Sequence, residues 1–241
     1  MTRAPRRAWL LAAVAVLAAL GLAFGLGDRA SAPPQRPPGQ RPMLLLLTSL
    51  PLAFGEDFSL DGAGSPALDA LRTRYDVRPI SVTDAAQLRP ARLLLMAHPL
   101  AQPPEALVDL DEWVRAGGRV LLLADPLLEW PSARPLGDPL RSPPMFQDTG
   151  LLAHWGLALE APAERGPKAQ QIAGFEVLTA SPGRLSGRCE IGAGGLVAHC
   201  TVGKGRATVI ADADILDVAH LDGPSGHNLD AILSELESLE R

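Results

Sequence analysis

Hydrophobic residues along the chain occur in short continuous runs. Three of these runs, residues 43–47, 93–97 and 119–124, are almost entirely aliphatic. A short aliphatic run without polar alternation is typical of a strand buried on both faces, as in a parallel sheet. Residues 77–80 predict a further short strand. The pattern therefore indicates a mainly parallel sheet.

Helical patterns separate these runs. Ser65-Pro66 predicts the start of a helix, with serine as the N-cap and proline at the first helical position. A second helix is predicted from residues 103–105 to Gly117-Gly118, and its apolar stripe consists of Leu107, Leu110, Trp113 and Val114. Alternation of strand and helix implies right-handed crossovers. The predicted fold class is α/β, with an open, mainly parallel sheet and helices on both faces.

The pattern changes after residue 124. Residues 126–147 contain six prolines and no periodicity, which predicts a long loop. We expect a short helix over 148–155, strands at 157–159 and 175–178, and a polar surface loop over 161–171. A helix from His227 or Asn228 to Leu239 is predicted to close the domain.

An antiparallel hairpin is predicted between residues 188 and 211. Gly194-Gly195 favours a two-residue turn, and strands paired about that turn place Cys189 opposite Cys200. Directly opposed Cα atoms lie about 4.5–5.5 Å apart, a distance that a disulfide spans. In an exported domain the two cysteines would be oxidised. The alternative is a pair of free buried cysteines.

The N-terminal residues predict a membrane anchor. Residues 8–27 contain no charged side chain, and twenty helical residues span roughly 30 Å, the thickness of a bilayer core. The arginines in residues 1–7 indicate a cytoplasmic tail, so the remainder would be exported. A cleavable signal peptide is the alternative, because Ala30-Ser31-Ala32 resembles a cleavage site. Residues 28–42 are a proline-rich spacer, and 43–241 form the predicted exported domain.

Charge is distributed unevenly along the 241 residues. The formal net charge is −5, yet residues 1–41 carry six arginines and one aspartate. Residues 42–241 carry 16 basic and 26 acidic side chains, a net charge of −10. Such an acidic domain is not expected to bind nucleic acid, which requires a basic surface. Its partners are expected to be proteins, or neutral or cationic ligands.

Four polar residues follow predicted strands and are candidates for ligand binding. In an open parallel sheet, ligands bind beyond the carboxyl ends of the strands. The candidates are His98, Asp125, Asp212 and Asp214. They are compatible with a site for a polar ligand such as a carbohydrate. A further possibility is a metal-assisted hydrolase that uses Asp212, Asp214 and His98.

Signatures of enzyme chemistry are missing from the sequence. It contains no G-x-S-x-G elbow, no P-loop, no G-x-G-x-x-G motif and no zinc-ligand spacing. We therefore predict no catalytic residue, no metal site and no cofactor. The expected role is that of a binding module and not of an enzyme.

Two separated segments together resemble a known family. The first is Arg115-Ala-Gly-Gly118, followed by a strand that ends in Asp125-Pro126, and the second is residues 203–216, GKGRATVIADADIL. This combination is similar to the auxiliary domain of ABC transport systems related to gliding-motility proteins, the GldG-like family. The resemblance implies a glutamine-amidotransferase or flavodoxin type of sheet without the catalytic cysteine. It also implies ABC permease and ATPase subunits as partners.

The resulting expectation is a non-enzymatic auxiliary component of an ABC transport system. It would be a single-pass protein of the bacterial inner membrane, with a periplasmic domain that binds a protein or the transported cargo. The alternative is a carbohydrate-binding module at the carboxyl edge of the sheet.

Overall fold

The computed structural model describes residues 30–53, 64–221 and 225–241. Ala32–Arg241 forms one compact unit. The predicted membrane span, residues 8–27, lies outside the described residues. Within the described ranges, no helix has the length and hydrophobicity needed to cross a bilayer.

Five helices and eleven strands make up the described part of the chain. In chain order they are β1 (Met43–Thr48), α1 (Pro66–Arg72), β2 (Asp76–Pro79), α2 (Ala85–Leu88), β3 (Leu93–Ala97), α3 (Pro104–Arg115), β4 (Arg119–Leu123), α4 (Leu151–His154), β5 (Leu157–Glu160), β6 (Pro167–Ile172), β7 (Phe175–Ala180), β8 (Arg184–Gly187), β9 (Glu190–Gly192), β10 (Val197–Val202), β11 (Gly205–Ile210) and α5 (Asn228–Glu240).

The main sheet has seven strands in the order β2-β1-β3-β4-β11-β10-β9. The first five strands run parallel, and β10 and β9 continue the sheet in antiparallel pairing. All five residues of β3 are buried, as expected for a strand at the centre of a covered parallel sheet. The prediction of an α/β fold with a mainly parallel sheet is confirmed.

Helix α1 begins as the sequence predicts. The Ser65 hydroxyl oxygen accepts a hydrogen bond from the Leu68 backbone N–H at 3.1 Å, which satisfies one of the free donors of the first turn. The helix contacts α5, and α2 contacts α3.

The buried face of α3 differs from the predicted stripe. Ala106, Leu110 and Val114 are its buried residues. They are spaced four residues apart, so they lie along one line of the helix surface. Leu107 is only partly buried, and Trp113 lies at the edge of the interface, where its indole N–H donates to the Ala91 carbonyl at 3.3 Å. The predicted stripe omits Ala106 because it was chosen from the large hydrophobic residues, and alanine is small.

The hairpin of β9 and β10 has the predicted register. His199 lies opposite Glu190, and the same register joins Cys189 to Cys200 in a disulfide with Cα atoms 4.8 Å apart. The turn differs from the prediction because four residues, 193–196, connect the strands. Gly194 and Gly195 both adopt positive φ, 66° and 105°. A turn lengthened by one residue on each side keeps the same register.

The predicted loop over 161–171 is wrong in its second half. Pro167–Ile172 forms β6, which pairs antiparallel with β7. Most of its side chains are exposed, so the segment carries no hydrophobic alternation. The strand is specified by backbone hydrogen bonds to β7, which a hydrophobic pattern does not reveal.

The end of the proline-rich segment packs against the domain. The Arg36 guanidinium forms an ion pair with Glu240 at 2.9 Å, and the Arg36 backbone N–H donates to the Thr73 carbonyl at 3.0 Å. The Arg74 guanidinium donates to the Pro34 carbonyl. Ordered contacts therefore begin before Met43, the predicted start of the domain.

Candidate binding site at the carboxyl edge of the sheet

Three aspartates meet where two neighbouring strands end. Strands β4 and β11 are adjacent and parallel, with Leu123 opposite Ile210. Asp125 follows β4, and Asp212 and Asp214 follow β11. All three side chains are buried. The structure thus brings together three of the four residues that the sequence singles out.

The Asp125 carboxylate holds the chain that follows β11. Its Oδ2 accepts hydrogen bonds from the backbone N–H groups of Ala213 at 2.7 Å and Asp214 at 3.4 Å. Its Oδ1 accepts from the Leu127 N–H at 2.8 Å. Burial raises the pKa of Asp125 to about 6, although these hydrogen bonds favour the charged form. Both oxygens are therefore occupied by the fold.

The Asp212 carboxylate is also bonded at both oxygens. Its Oδ1 accepts from the Ile215 N–H at 2.7 Å, and its Oδ2 accepts from the Ala180 N–H at 2.9 Å. Burial, and then the charges of Asp125 and Asp214, raise the pKa of Asp212 well above its usual value. This side chain joins the end of β7 to the end of β11.

Asp214 is bonded at one oxygen only. Its Oδ2 accepts from the Glu129 backbone N–H at 2.7 Å. Its Oδ1 is buried and has no hydrogen-bond partner. Burial, followed by the charge of Asp125, raises the pKa of Asp214 to about 8. Of the three aspartates, only Asp214 has a carboxyl oxygen without a hydrogen-bond partner.

His98 lies at the end of β3 and is fully buried. Its backbone has a φ of 45°, in a region that non-glycine residues seldom adopt. Its Nε2 lies 2.9 Å from the Pro143 carbonyl oxygen, while Nδ1 has no partner. Burial lowers the pKa of His98, so the neutral ring donates its Nε2 proton to that carbonyl. The histidine holds residues 126–147 against the sheet.

A cavity of about 150 Å³ opens beside Asp214. We call it the Asp214 cavity. Its polar lining includes Glu129, Asp214, Asp217 and His220, and its apolar lining includes Pro131 and Leu221. Asp125, Asp212 and His98 do not line it. The candidate site is therefore displaced from the predicted one and shares only Asp214 with it.

Two residues near this cavity, Glu129 and Ser181, cannot be identified from the sequence pattern. Glu129 belongs to the aperiodic segment after β4, and its carboxylate accepts a hydrogen bond from the Ser181 hydroxyl at 2.7 Å. Ser181 follows β7, so only the tertiary fold brings the two together. Among the described residues, no three His, Cys, Asp or Glu side chains are grouped so that they could hold a metal ion.

No protein-family model matches the sequence, and no curated protein matches it at a significant level. Solved structures show the fold. The N-terminal domain of mmIFT52 aligns with a TM-score of 0.55 and 12% identity, over 81% of this chain and 97% of that domain. The cytoplasmic protein STM3548 from Salmonella typhimurium aligns with a TM-score of 0.52 and 11% identity, over 82% of this chain and 98% of that protein. At such identities the likeness is one of fold alone.

Glycoside hydrolases are also among the structural neighbours. An exo-β-1,4-mannosidase from Opitutaceae bacterium strain TAV5 aligns with a TM-score of 0.49 and 12% identity, and this chain covers 36% of that enzyme. A GH42 β-galactosidase aligns with a TM-score of 0.48 and 15% identity, with 30% of that enzyme covered. The chain thus spans about a third of the length of these enzymes.

These neighbours correct the expectation of a non-enzyme. That expectation rested on missing sequence motifs, whereas the structural neighbours include glycoside hydrolases. The statement that the chain is not an enzyme is therefore withdrawn. The likeness assigns neither an activity nor a substrate to this chain.

Proposed function

We propose that the chain is an auxiliary component of an ABC transport system in the bacterial inner membrane. Residues 8–27 hold it in the bilayer, and its α/β domain, of the glutamine-amidotransferase or flavodoxin type with helices on both faces, lies in the periplasm. The domain binds the permease, directly or with its ATPase, or binds the transported cargo.

The observation that carries the proposal is the exposure of three large apolar side chains on the loop after β4. Six large hydrophobic side chains are exposed in the described part of the chain, and three of them lie within residues 126–147. These are Leu136, Leu140 and Met145, which are 77%, 59% and 56% exposed. Several large apolar side chains exposed on one segment are candidates for contact with a partner.

The loop is held at its ends, which suits a preformed binding surface. The Leu128 N–H donates to the Pro144 carbonyl at 2.9 Å, and the Phe146 N–H donates to the Asp125 carbonyl at 2.6 Å. A loop fixed in this way loses less conformational entropy when a partner binds.

The two segments that carry the family resemblance contact each other in the fold. At the amino edge of the sheet, the Lys204 N–H donates to the Arg115 carbonyl at 2.9 Å. At the carboxyl edge, Asp125 accepts from the Ala213 N–H. The two segments contact each other at both edges of the sheet, so the fold gives a reason for them to occur together. This supports the resemblance at the level of the fold.

The disulfide supports a location outside the cytoplasm. Cys189 and Cys200 are bonded to each other, and disulfides persist mainly in oxidising compartments. This agrees with the basic and apolar N-terminal sequence, which predicts export of the domain.

A photocrosslinking amino acid at Leu140 tests the proposed surface. In cells that express the full chain, we expect Leu140 to crosslink to the permease, its ATPase or the cargo. The matched control is Lys204, which is also exposed but lies in the turn before β11, at the opposite edge of the sheet. Equal crosslinking from both positions, or none from Leu140, would overturn the proposed surface.

A further inference from the structure

A second cavity, of about 360 Å³, lies between α5 and the strands β10 and β11. We call it the α5 cavity. His199 lies opposite Thr208 and Thr201 lies opposite Arg206, and all four residues line the cavity. Alternate residues of a strand share one face of the sheet, so the four side chains project to the same side. Arg206 donates to the Leu239 carbonyl at 3.1 Å, which shows that this side is the one covered by α5.

The hydroxyl group of Thr208 has no partner in the described part of the chain. The residue is only 2% exposed. The buried side-chain atoms that lack a partner belong to Arg74, His98 and Asp214 and not to Thr208. Its oxygen is therefore accessible, and because strands pair along both sides of the Thr208 backbone, it is accessible from the cavity. A hydroxyl is both donor and acceptor, so it can bond to a ligand there.

Two guanidinium groups beside the cavity lack a carboxylate partner. Arg206 on β11 and Arg119 on β4 are neighbours in the sheet register. Both donate to the Leu239 carbonyl at the end of α5, which uses one of the five N–H donors of each group. Neither forms an ion pair with a carboxylate of the described residues. Burial, and then the charges of Arg206 and Arg92, lower the pKa of Arg119, which indicates positive charge without a counterion.

The acidic groups near the cavity limit the charge of a ligand. His199 Nε2 lies 3.1 Å from Glu235 Oε2, and this hydrogen bond raises the pKa of His199, so Glu235 already has a cationic partner. Glu190 lines the cavity from β9, two strands away from Arg206, which is about 10 Å between backbones. A single negative charge beside Arg206 is therefore favoured, and the rest of the ligand is expected to be neutral.

We propose that the α5 cavity binds a small hydroxycarboxylate, whose carboxylate accepts hydrogen bonds from the Arg206 guanidinium and whose hydroxyl group bonds to Thr208 Oγ1. The planar guanidinium matches the geometry of a carboxylate. The two residues are two positions apart on β11, about 7 Å between Cα atoms, so one small molecule can contact both side chains. A volume of about 360 Å³ lies in the usual range of small-molecule sites, roughly 300–1,000 Å³.

The inference does not rest on the proposed role in transport. It uses the α5 cavity, the unpartnered hydroxyl and the two guanidinium groups, and it concerns a different surface from the apolar side chains of residues 126–147. A failed crosslinking experiment at Leu140 would leave it intact, and the reverse also holds.

Binding of gluconate and glycolate to the full chain in detergent tests the proposal. We expect calorimetry near neutral pH to show binding of gluconate. Sorbitol, which has a hydroxymethyl group in place of the carboxylate, should not bind. Arg206→Lys keeps the charge and a donor for the Leu239 carbonyl but removes the planar fork, and it should weaken binding at least about tenfold. The matched control is Arg89→Lys, an exposed position after α2, which should bind as the unaltered protein does.

A second variant separates loss of the site from loss of the fold. Thr208→Val keeps the shape of the side chain and removes the hydroxyl, and it should weaken gluconate binding about fivefold, the effect of one hydrogen bond. Because that hydroxyl has no partner in the free protein, the unfolding temperature without ligand should not fall. Thr149→Val makes the same change at an exposed position before α4 and should leave binding unchanged.

Inorganic phosphate is the probe for a general anion site. Binding of phosphate more tightly than gluconate would overturn the proposal, because the hydroxyl groups of the ligand would then contribute nothing. Failure of both gluconate and glycolate to bind at millimolar concentration, or equal affinity for gluconate and sorbitol, would overturn it as well. So would equal affinity of the Thr208→Val and Thr149→Val variants for gluconate.

Discussion

Three neighbouring carboxyl groups at the edge of the sheet have different tasks. Asp125 and Asp212 each accept backbone hydrogen bonds at both oxygens and so connect the ends of β4, β7 and β11. Asp214 accepts one bond and leaves its second oxygen free inside the domain. The first two residues hold the strand ends together, and the third contains a buried carboxyl oxygen without a partner.

The sequence predicts the position of these aspartates but not their surroundings. Their place after buried strands follows from the aliphatic runs. Two of the backbone N–H groups that donate to them belong to Glu129, in the aperiodic segment after β4, and to Ala180, at the end of β7. Strand ends can therefore be identified from sequence, whereas the hydrogen-bond partners that decide which oxygen remains free require the tertiary structure.

Asp214 should make stability fall as pH rises. Its folded pKa of about 8 lies above that of an unfolded aspartate, so its contribution is complete at acidic pH and is lost as pH rises through about 8. Between about pH 7 and about pH 9, we expect the free energy of unfolding to decrease by about 1 kcal/mol on this account. Asp212 also has a raised pKa, so Asp214→Asn should reduce that decrease without removing it, as measured by urea denaturation.

The comparison of the two proteins removes the titrations of groups that do not interact with Asp214. Burial lowers the pKa of His98, so its contribution to the free energy of unfolding is lost only at acidic pH, outside this range. A decrease of equal size in the Asp214→Asn variant would show that Asp214 is not buried as described.

At the scale of elements, the amino edge of the sheet depends on close backbone approach. The turn at residues 203–205 lies against the end of α3, where a Cβ on Gly205 would overlap the carbonyl oxygens of Val114 and Gly118. The sequence predicts both glycine-containing turns, but it does not reveal that they contact each other. Only the pairing of β4 with β11 brings them together.

Gly205→Ala should destabilise the domain by about 3 kcal/mol or more, because the added methyl group meets backbone atoms that cannot move independently. Gly192→Ala is the matched control, since its Cβ would meet nothing within 4 Å. It should change the free energy of unfolding by less than about 1 kcal/mol. Similar urea midpoints for the two variants would show that the turn at residues 203–205 is not packed tightly against the end of α3.

Elements whose side chains are mostly exposed, such as β6, cannot be predicted from a hydrophobic pattern. The side chains of β6 are mostly exposed and show no hydrophobic alternation, so the sequence predicts a loop there, and only the backbone pairing with β7 defines the strand. The sequence predicts the inner strands β1, β3 and β4 because a strand buried on both faces consists of consecutive aliphatic residues.

At the scale of the whole molecule, the hairpin at the far edge of the sheet is closed covalently. Cys189 and Cys200 are 11 residues apart in sequence, and the bond restricts the unfolded chain. Replacing both with serine should lower the free energy of unfolding by about 3 kcal/mol, the loop-entropy value for a loop of this size. Urea denaturation with and without dithiothreitol measures the change.

The reductant provides the control for that prediction. It should destabilise the unaltered protein and leave the double variant unchanged. If the unaltered protein resists the reductant and the double variant is equally stable, the disulfide contributes nothing to the fold.

The charge distribution bears on the partners of the whole chain. Residues 42–241 have a net charge of −10, which repels nucleic acid and anionic lipid headgroups. A protein surface remains as the compatible macromolecular partner. The exposed apolar side chains of residues 126–147 suit a protein surface.

Affinity purification of the full chain from membranes tests the central claim most directly. With a C-terminal tag and a mild detergent, the account predicts that ABC permease and ATPase subunits are recovered together with the chain. A variant with Leu136, Leu140 and Met145 replaced by serine should recover less of them at equal expression. Recovery of the chain alone, or equal recovery with the triple variant, would contradict the account.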